Sequence, residues 1–165
     1  SACLVGSEMC IRDRGGRMLL DVGPKEDGTL DERQEKVLED LGTWISDHDE
    51  AVHGTGKGLN YAQFLGGSTL SADKKTIYLF VYDTPREALC VKGVKTPVKK
   101  VTVLHTGEEL RCSYTGALPW SGIPGTLWIW AEGMKEHPFA TVLKVELEGE
   151  ITYNLGHGEV VTCND

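Results

Sequence analysis

The sequence lacks the spaced ligands of metal and nucleotide sites. Its five cysteines form no close-spaced motif, and none of them lies within five residues of any of its five histidines. No Gly-x-Ser-x-Gly elbow indicates a serine nucleophile. Residues 54–58, "GTGKG", have the glycines of a phosphate loop, but their spacing is wrong and no Ser or Thr follows Lys57. We therefore predict no metal and no cofactor, and interpret residues 54–58 as a linker between domains. The histidines are His48, His53, His105, His137 and His157.

Two further absences limit the partners of the protein. Its net charge of −8 argues against binding to nucleic acid, because a basic patch is needed to neutralise phosphates. No stretch approaches the ~18 consecutive apolar residues of a membrane span. The 165 residues suffice for one globular domain, or for a small domain with part of another.

Residues 15–58 contain one predicted strand followed by one helix. The strand, "RMLLDVGP" at 17–24, is apolar on both faces, which is typical of a strand buried in a parallel sheet. The helix spans residues 29–48, with Thr29 and Glu32 as a predicted capping box. Its apolar stripe consists of Val37, Leu38, Leu41, Trp44 and Ile45.

One strand–helix unit cannot form a domain, because both faces of its strand need neighbours. We therefore expect residues 15–58 to be the last unit of a (β/α) barrel whose upstream part is missing from this chain. The apolar groups that should then lack partners are Leu19, Leu20, Val22 and Trp44.

From residue 59 to residue 165 the apolar residues alternate with period two. Several short stretches of this kind, separated by turns at intervals of ~8–12 residues, predict an antiparallel β-sandwich. Residues 98–107 and 109–116 flank a "TGEE" turn and predict a hairpin. The other predicted strands lie in residues 76–83, 125–132, 140–149 and 159–163. The predicted fold class is mainly β: an antiparallel β-sandwich preceded by the last strand–helix unit of a truncated (β/α) barrel.

Asp21 is a candidate catalytic carboxylate. It ends the predicted parallel strand, where barrel enzymes place their catalytic groups. A carboxylate at that place can instead cap the following turn by accepting backbone N–H bonds. We favour this second, structural interpretation.

Trp128 and Trp130 lie two residues apart in a predicted strand and therefore share one face, opposite Leu127 and Ile129. If the aliphatic face lies in the core, the two indoles point outward, and exposed aromatic pairs mark interfaces. Docking onto a neighbouring domain is the favoured interpretation. A flat platform that stacks on sugar rings is the alternative.

Residues 19–55, "LLDVGPKEDGTLDERQEKVLEDLGTWISDHDEAVHGT", resemble the end of the catalytic domain of α-L-fucosidases, family 29 of the glycoside hydrolases. Residues 91–110 and 118–129 are similar to the C-terminal β-sandwich of that family. Arg17, Asp31 and His53 depart from the pattern, standing where Asn, Pro and Tyr are usual. The residues that fit are Leu19, Leu20, Asp21, Gly23, Pro24, Asp27, Gly28, Leu38, Gly42, Trp44, Glu50, Ala51, Gly54 and Thr55.

The resemblance implies a retaining hydrolase that removes terminal α-L-fucose from fucosylated glycans without metal or cofactor. In such a mechanism two carboxyl groups ~5–5.5 Å apart act as nucleophile and as acid–base. The family places both upstream of Leu19, so we assign no catalytic residue to this chain and expect it to be inactive by itself. The resemblance also suggests a periplasmic or secreted location.

The first residues are expected to have a different origin. Residues 4–14, "LVGSEMCIRDR", match without a gap the translation of a transposase-based sequencing adapter. We therefore interpret residues 1–14 as adapter-derived and exclude them from the fold. Natural sequence is expected to begin near Gly15.

Overall fold

The computed structural model describes residues 19–83, 88–118, 120 and 122–154. In this part of the chain two helices precede eight strands. The helices are α1 (Glu32–Asp47) and α2 (Asp49–Val52). The strands are β1 (Thr55–Lys57), β2 (Ser68–Ser71), β3 (Thr76–Val81), β4 (Ala88–Val91), β5 (Val98–Val103), β6 (Cys112–Thr115), β7 (Thr126–Trp130) and β8 (Thr141–Leu147). Neither helix has the length and hydrophobicity needed to cross a bilayer.

The strands form two antiparallel sheets that face each other. The larger sheet has the order β1-β2-β3-β8-β5, and the smaller has the order β4-β7-β6. Leu79 and Leu143 of the larger sheet belong to the same buried cluster as Leu127 and Ile129 of the smaller one. The main core therefore lies between the sheets, and the predicted antiparallel β-sandwich is confirmed.

Helix α1 covers the other face of the larger sheet. Trp44 is fully buried in a second cluster with Tyr78 and Phe80 of β3 and Val142 of β8. Its indole Nε1 donates to the carbonyl oxygen of Ala140 at 2.9 Å. Both faces of β3 are thus buried, one by the smaller sheet and one by the helix. The prediction that Trp44 lacks a partner is wrong, because the sandwich itself supplies one.

Helix α1 begins later than the predicted capping box. Asp31 is the N-cap, and its carboxylate accepts the backbone N–H of Arg33 at 2.9 Å. Thr29 instead donates its hydroxyl to the carboxylate of Asp27 at 2.7 Å, within the preceding turn. A charged acceptor at the positive end of the helix dipole is a strong N-cap. The capping box of Thr29 and Glu32 is therefore wrong.

We expect the change Asp31→Ala to lower the free energy of unfolding by about 1 kcal/mol, because one N–H of the first turn loses its acceptor. Thr29→Ala is the matched control, since its hydroxyl bonds only to the turn. Urea unfolding of both variants measures the difference. An equal or larger loss for Thr29→Ala would contradict the assignment of Asp31 as the N-cap.

Residues 19–24 do not form the predicted strand. They carry no strand assignment, Leu19 is 89% exposed and Val22 is 38% exposed. Leu20 is partly buried against the second cluster. A strand requires a hydrogen-bonded neighbour, and within the described residues none of the strands pairs with this segment. Leu19 and Val22 therefore remain exposed in this chain.

The predicted hairpin of residues 98–107 and 109–116 is also wrong. One bridge joins Thr102 to Glu109, so the turn does form. After the buried Leu110 the chain crosses to the other sheet. As a result β5 pairs with β8, and β6 pairs with β7.

The "GTGKG" stretch at 54–58 is not a free linker. Its residues Thr55–Lys57 form β1, which pairs with β2 at the edge of the larger sheet. The predicted strand at 159–163 and the adapter segment at 1–14 lie outside the described residues.

Candidate functional site

An apolar hollow of about 290 Å³ lies beside the first turns of α1. The segment that precedes the helix forms one wall, and the helix forms the other. Asp21 is exposed and contributes the hollow's carboxylate. The lining residues are Leu20, Asp21, Val22, Arg33, Gln34, Val37 and Leu38. The hollow thus combines partly exposed apolar groups with one carboxylate, of Asp21, and one guanidinium cation, of Arg33.

A second hollow, of about 250 Å³, lies at the end of β3. Asp83 is its carboxylate, among mostly apolar and aromatic neighbours. The lining residues are Phe64, Leu65, Phe80, Val81, Tyr82, Asp83 and Leu89. The lining of each hollow therefore has a single carboxyl group, whereas retaining glycoside hydrolysis needs two that face each other.

The outer face of the smaller sheet carries the two tryptophans at the predicted positions. Trp128 is half-buried and lies opposite Cys90 of β4 and Ser113 of β6. Trp130 is 37% exposed, and the guanidinium carbon of Arg111 stands 4.7 Å from its ring centre. A cation over the ring occupies one of the two faces on which a sugar could stack.

Glu50 joins α2 to the larger sheet. Its carboxylate accepts the hydroxyl of Tyr78 at 2.9 Å and the ammonium of Lys144 at 2.7 Å. Burial raises the pKa of Tyr78, and the hydrogen bond to Glu50 raises it further. The tyrosine is therefore a neutral donor at physiological pH, and the cluster fixes α2 on the sheet.

Three histidines meet at the C-terminal end of α1. The ring centres of His48, His105 and His137 are 5.2–5.7 Å apart. Sequence analysis missed this cluster, because the residues are distant in the chain and only the folded sheet brings them together. His53 lies apart and bonds to Asp49 at 2.7 Å. Across the described ranges, no three His, Cys, Asp or Glu side chains are arranged to hold a metal ion.

Sequence comparisons relate the chain to one enzyme family. Residues 10–50 match the family model of α-L-fucosidases. An α-L-fucosidase of Dictyostelium discoideum is 28% identical over 78 residues, which are 47% of this chain and 17% of that relative. The chain thus spans less than a fifth of the length of this curated relative.

Structural comparisons extend the similarity over most of the chain. An α-L-fucosidase from Vibrio sp. strain EJY3 has a TM-score of 0.76 at 23% identity, over 92% of this chain and 26% of that one. α-L-Fucosidase isoenzyme 1 from Paenibacillus thiaminolyticus has a TM-score of 0.73 at 22% identity, over 89% of this chain and 34% of that one. These identities show the fold alone. Together with the sequence comparisons, they confirm the predicted resemblance to the fucosidase family.

Proposed function

We propose that this chain is the C-terminal part of an α-L-fucosidase, a retaining glycosidase that hydrolyses terminal α-L-fucose from glycans. The match of residues 10–50 to the family model carries the proposal. The sandwich fold supports it, because similar solved α-L-fucosidases share that fold. The limited share of those proteins that the chain covers supports its being one part of the whole.

The catalytic carboxyl groups belong, in this proposal, to an upstream barrel. Retaining hydrolysis needs two carboxyl groups ~5–5.5 Å apart across the sugar. The hollow beside α1 offers Asp21, and the hollow at the end of β3 offers Asp83. Asp21 is then an exposed residue of the segment that precedes α1, and the chemistry requires no residue of this chain.

The apolar surface beside α1 is where the barrel would dock. Leu19 and Val22 are exposed, and Val37 and Leu38 of the helix are only half-buried. Exposed apolar groups that adjoin one another mark a contact with another domain. Residues 15–54 thus belong with the barrel, and the sandwich begins at β1.

The sandwich itself has a structural role in this proposal. It buries Trp44 and thereby holds α1, the helix that the barrel would contact on its other side. Trp128 and Trp130 belong to an outer face that docks against protein, because Arg111 already covers one ring. Quenching of tryptophan fluorescence by fucosylated oligosaccharides would indicate sugar stacking instead.

An assay of two purified proteins tests the proposed activity. We expect the 165-residue chain to leave an aryl α-L-fucoside unhydrolysed, at the level of a heat-killed control. The same chain extended by its upstream coding sequence is expected to hydrolyse the substrate with retention of configuration. Activity of the short chain would contradict the location of the carboxyl groups, and inactivity of the extended protein on α-L-fucosides would contradict the function.

A further inference from the structure

The histidine cluster joins three separate elements at one place. His48 follows the last residue of α1, His105 lies just beyond β5, and His137 lies in the loop that leads to β8. The ring of His48 also stacks on the indole of Trp44, with ring centres 4.6 Å apart. The cluster therefore lies at the contact between helix α1 and the larger sheet.

Hydrogen bonding at the cluster suits neutral rings. His48 is fully buried, and its Nδ1 lies 2.8 Å from the carbonyl oxygen of Trp44. Because a carbonyl only accepts, Nδ1 carries the proton and Nε2 bears the lone pair. That Nε2 has no hydrogen-bond partner, and neither do the two ring nitrogens of His105. A protonated ring would need an acceptor at each nitrogen.

Charged groups near the cluster act in opposite directions on added protons. Oδ2 of Asp47 lies 3.9 Å from Nε2 of His137 and is the carboxylate that favours protonation. Lys135 opposes it, because its charge disfavours a second cation at His105. From the other elements, Glu136 is exposed on the same loop, and Asp49 of α2 is bonded to His53. Among the described residues, Asp47 is the carboxylate that the structure places against a ring of the cluster.

We propose that His48, His105 and His137 form an acid-sensitive latch, which holds α1 on the larger sheet when neutral and releases the helix when protonated. Each added proton places a cation within 6 Å of two other rings. Repulsion between protonated rings, and ring N–H groups without acceptors, both weaken the contact between α1 and the larger sheet. The proposal concerns this contact alone and does not depend on fucosidase activity.

The direction of the pH effect follows from the titration of the rings. Burial lowers the pKa of His48 from 6.5 to about 4, and it also lowers the pKa values of His105 and His137. The released or unfolded helix therefore binds protons more tightly than the docked one. Stability of the contact is complete above pH 6.5 and is lost progressively as the pH falls toward 4. For His48 alone the docking equilibrium weakens about 30-fold at pH 5.

Hydrogen exchange of the full 165-residue chain at pH 7.5 and pH 5 tests the latch. Protection factors, corrected for the pH dependence of intrinsic exchange, are compared between the amides of α1 and those of β8. We expect protection in α1 to fall about 30-fold or more at pH 5, and protection in β8 to fall less. Unchanged protection of α1, or an equal fall in both elements, would overturn the proposal.

Three variants locate the effect. In His48→Gln the amide can still donate to the carbonyl of Trp44, and we expect most of the pH-dependent fall to disappear. His105→Gln breaks no hydrogen bond of the ring, because neither ring nitrogen of His105 has a partner. This variant is therefore expected to fold and serves as the test if His48→Gln does not fold. We expect this variant to show a smaller fall than the unaltered chain. The control His53→Gln, at an exposed site, should keep the full fall. A full fall in His105→Gln would overturn the proposal.

Discussion

The change Trp44→Ala is expected to lower the free energy of unfolding by about 3–5 kcal/mol, the range for deleting a buried aromatic side chain. Trp44 is fully buried and packs against Phe80 of β3. Its loss also leaves the carbonyl oxygen of Ala140 without the indole donor, which adds to the cost. Urea unfolding followed by far-UV circular dichroism measures the change.

Two controls separate packing from hydrogen bonding at Trp44. Trp44→Phe keeps an aromatic ring and removes the N–H, so we expect a smaller loss of about 1–3 kcal/mol. Trp120→Ala removes an indole that is 85% exposed, and its effect should stay within about 0.5 kcal/mol. A loss for Trp44→Ala as small as that for Trp120→Ala would contradict the docking of α1 on the sheet.

The change Leu38→Glu is expected to have opposite consequences in two contexts. In the 165-residue chain Leu38 is half-buried beside the hollow, so the carboxylate reaches water and the free energy of unfolding should change by no more than about 1 kcal/mol. In the protein extended by the proposed barrel, the same carboxylate would be covered and removed from water, which costs several kcal/mol. We therefore expect the midpoint of thermal inactivation to fall by about 5 °C or more.

Thr43→Glu is the matched control for this comparison. Thr43 is exposed on the same helix, and the incoming side chain is identical. We expect it to leave thermal inactivation of the extended protein nearly unchanged. Equal effects of Leu38→Glu and Thr43→Glu on that protein would show that no barrel covers the apolar surface beside α1.

The period-two pattern of the sequence was sufficient to predict the sandwich. In β7, Leu127 and Ile129 are buried in the core while Trp128 and Trp130 lie outward. In β8, Val142 and Leu143 enter different buried clusters, as alternation requires. Side-chain direction is a local property of a strand, so it follows directly from sequence.

Pairing between distant segments could not be predicted in the same way. The turn at "TGEE" predicts a hairpin, but the pairing of β5 with β8 depends on a strand about 40 residues downstream. The hydrogen bond from Trp44 to the carbonyl oxygen of Ala140 forms only because α1 packs across the sheet. The histidine cluster has the same cause, since its members share no sequence motif. The N-cap differs from the predicted Thr29 for a local reason. Helix α1 begins at Glu32, so the residue directly before it is Asp31.

Barrel and sandwich meet, in the proposed arrangement, on the two sides of α1. The sandwich side is present in the structure and holds the helix through Trp44 and its neighbours. The other side carries Val37 and Leu38, which are half-buried. This arrangement gives the sandwich a structural role, because loss of the helix from the sheet would disturb the surface that faces the barrel.

The most direct test is to read the genomic DNA upstream of the codon for Gly15. We expect a continuous reading frame of ~300 residues, in which strands alternate with helices and carboxylates lie at strand ends, as in a barrel hydrolase. The purified protein encoded by that complete reading frame should hydrolyse α-L-fucosides. A start codon or an unrelated domain immediately upstream would contradict the assignment of this chain to an α-L-fucosidase.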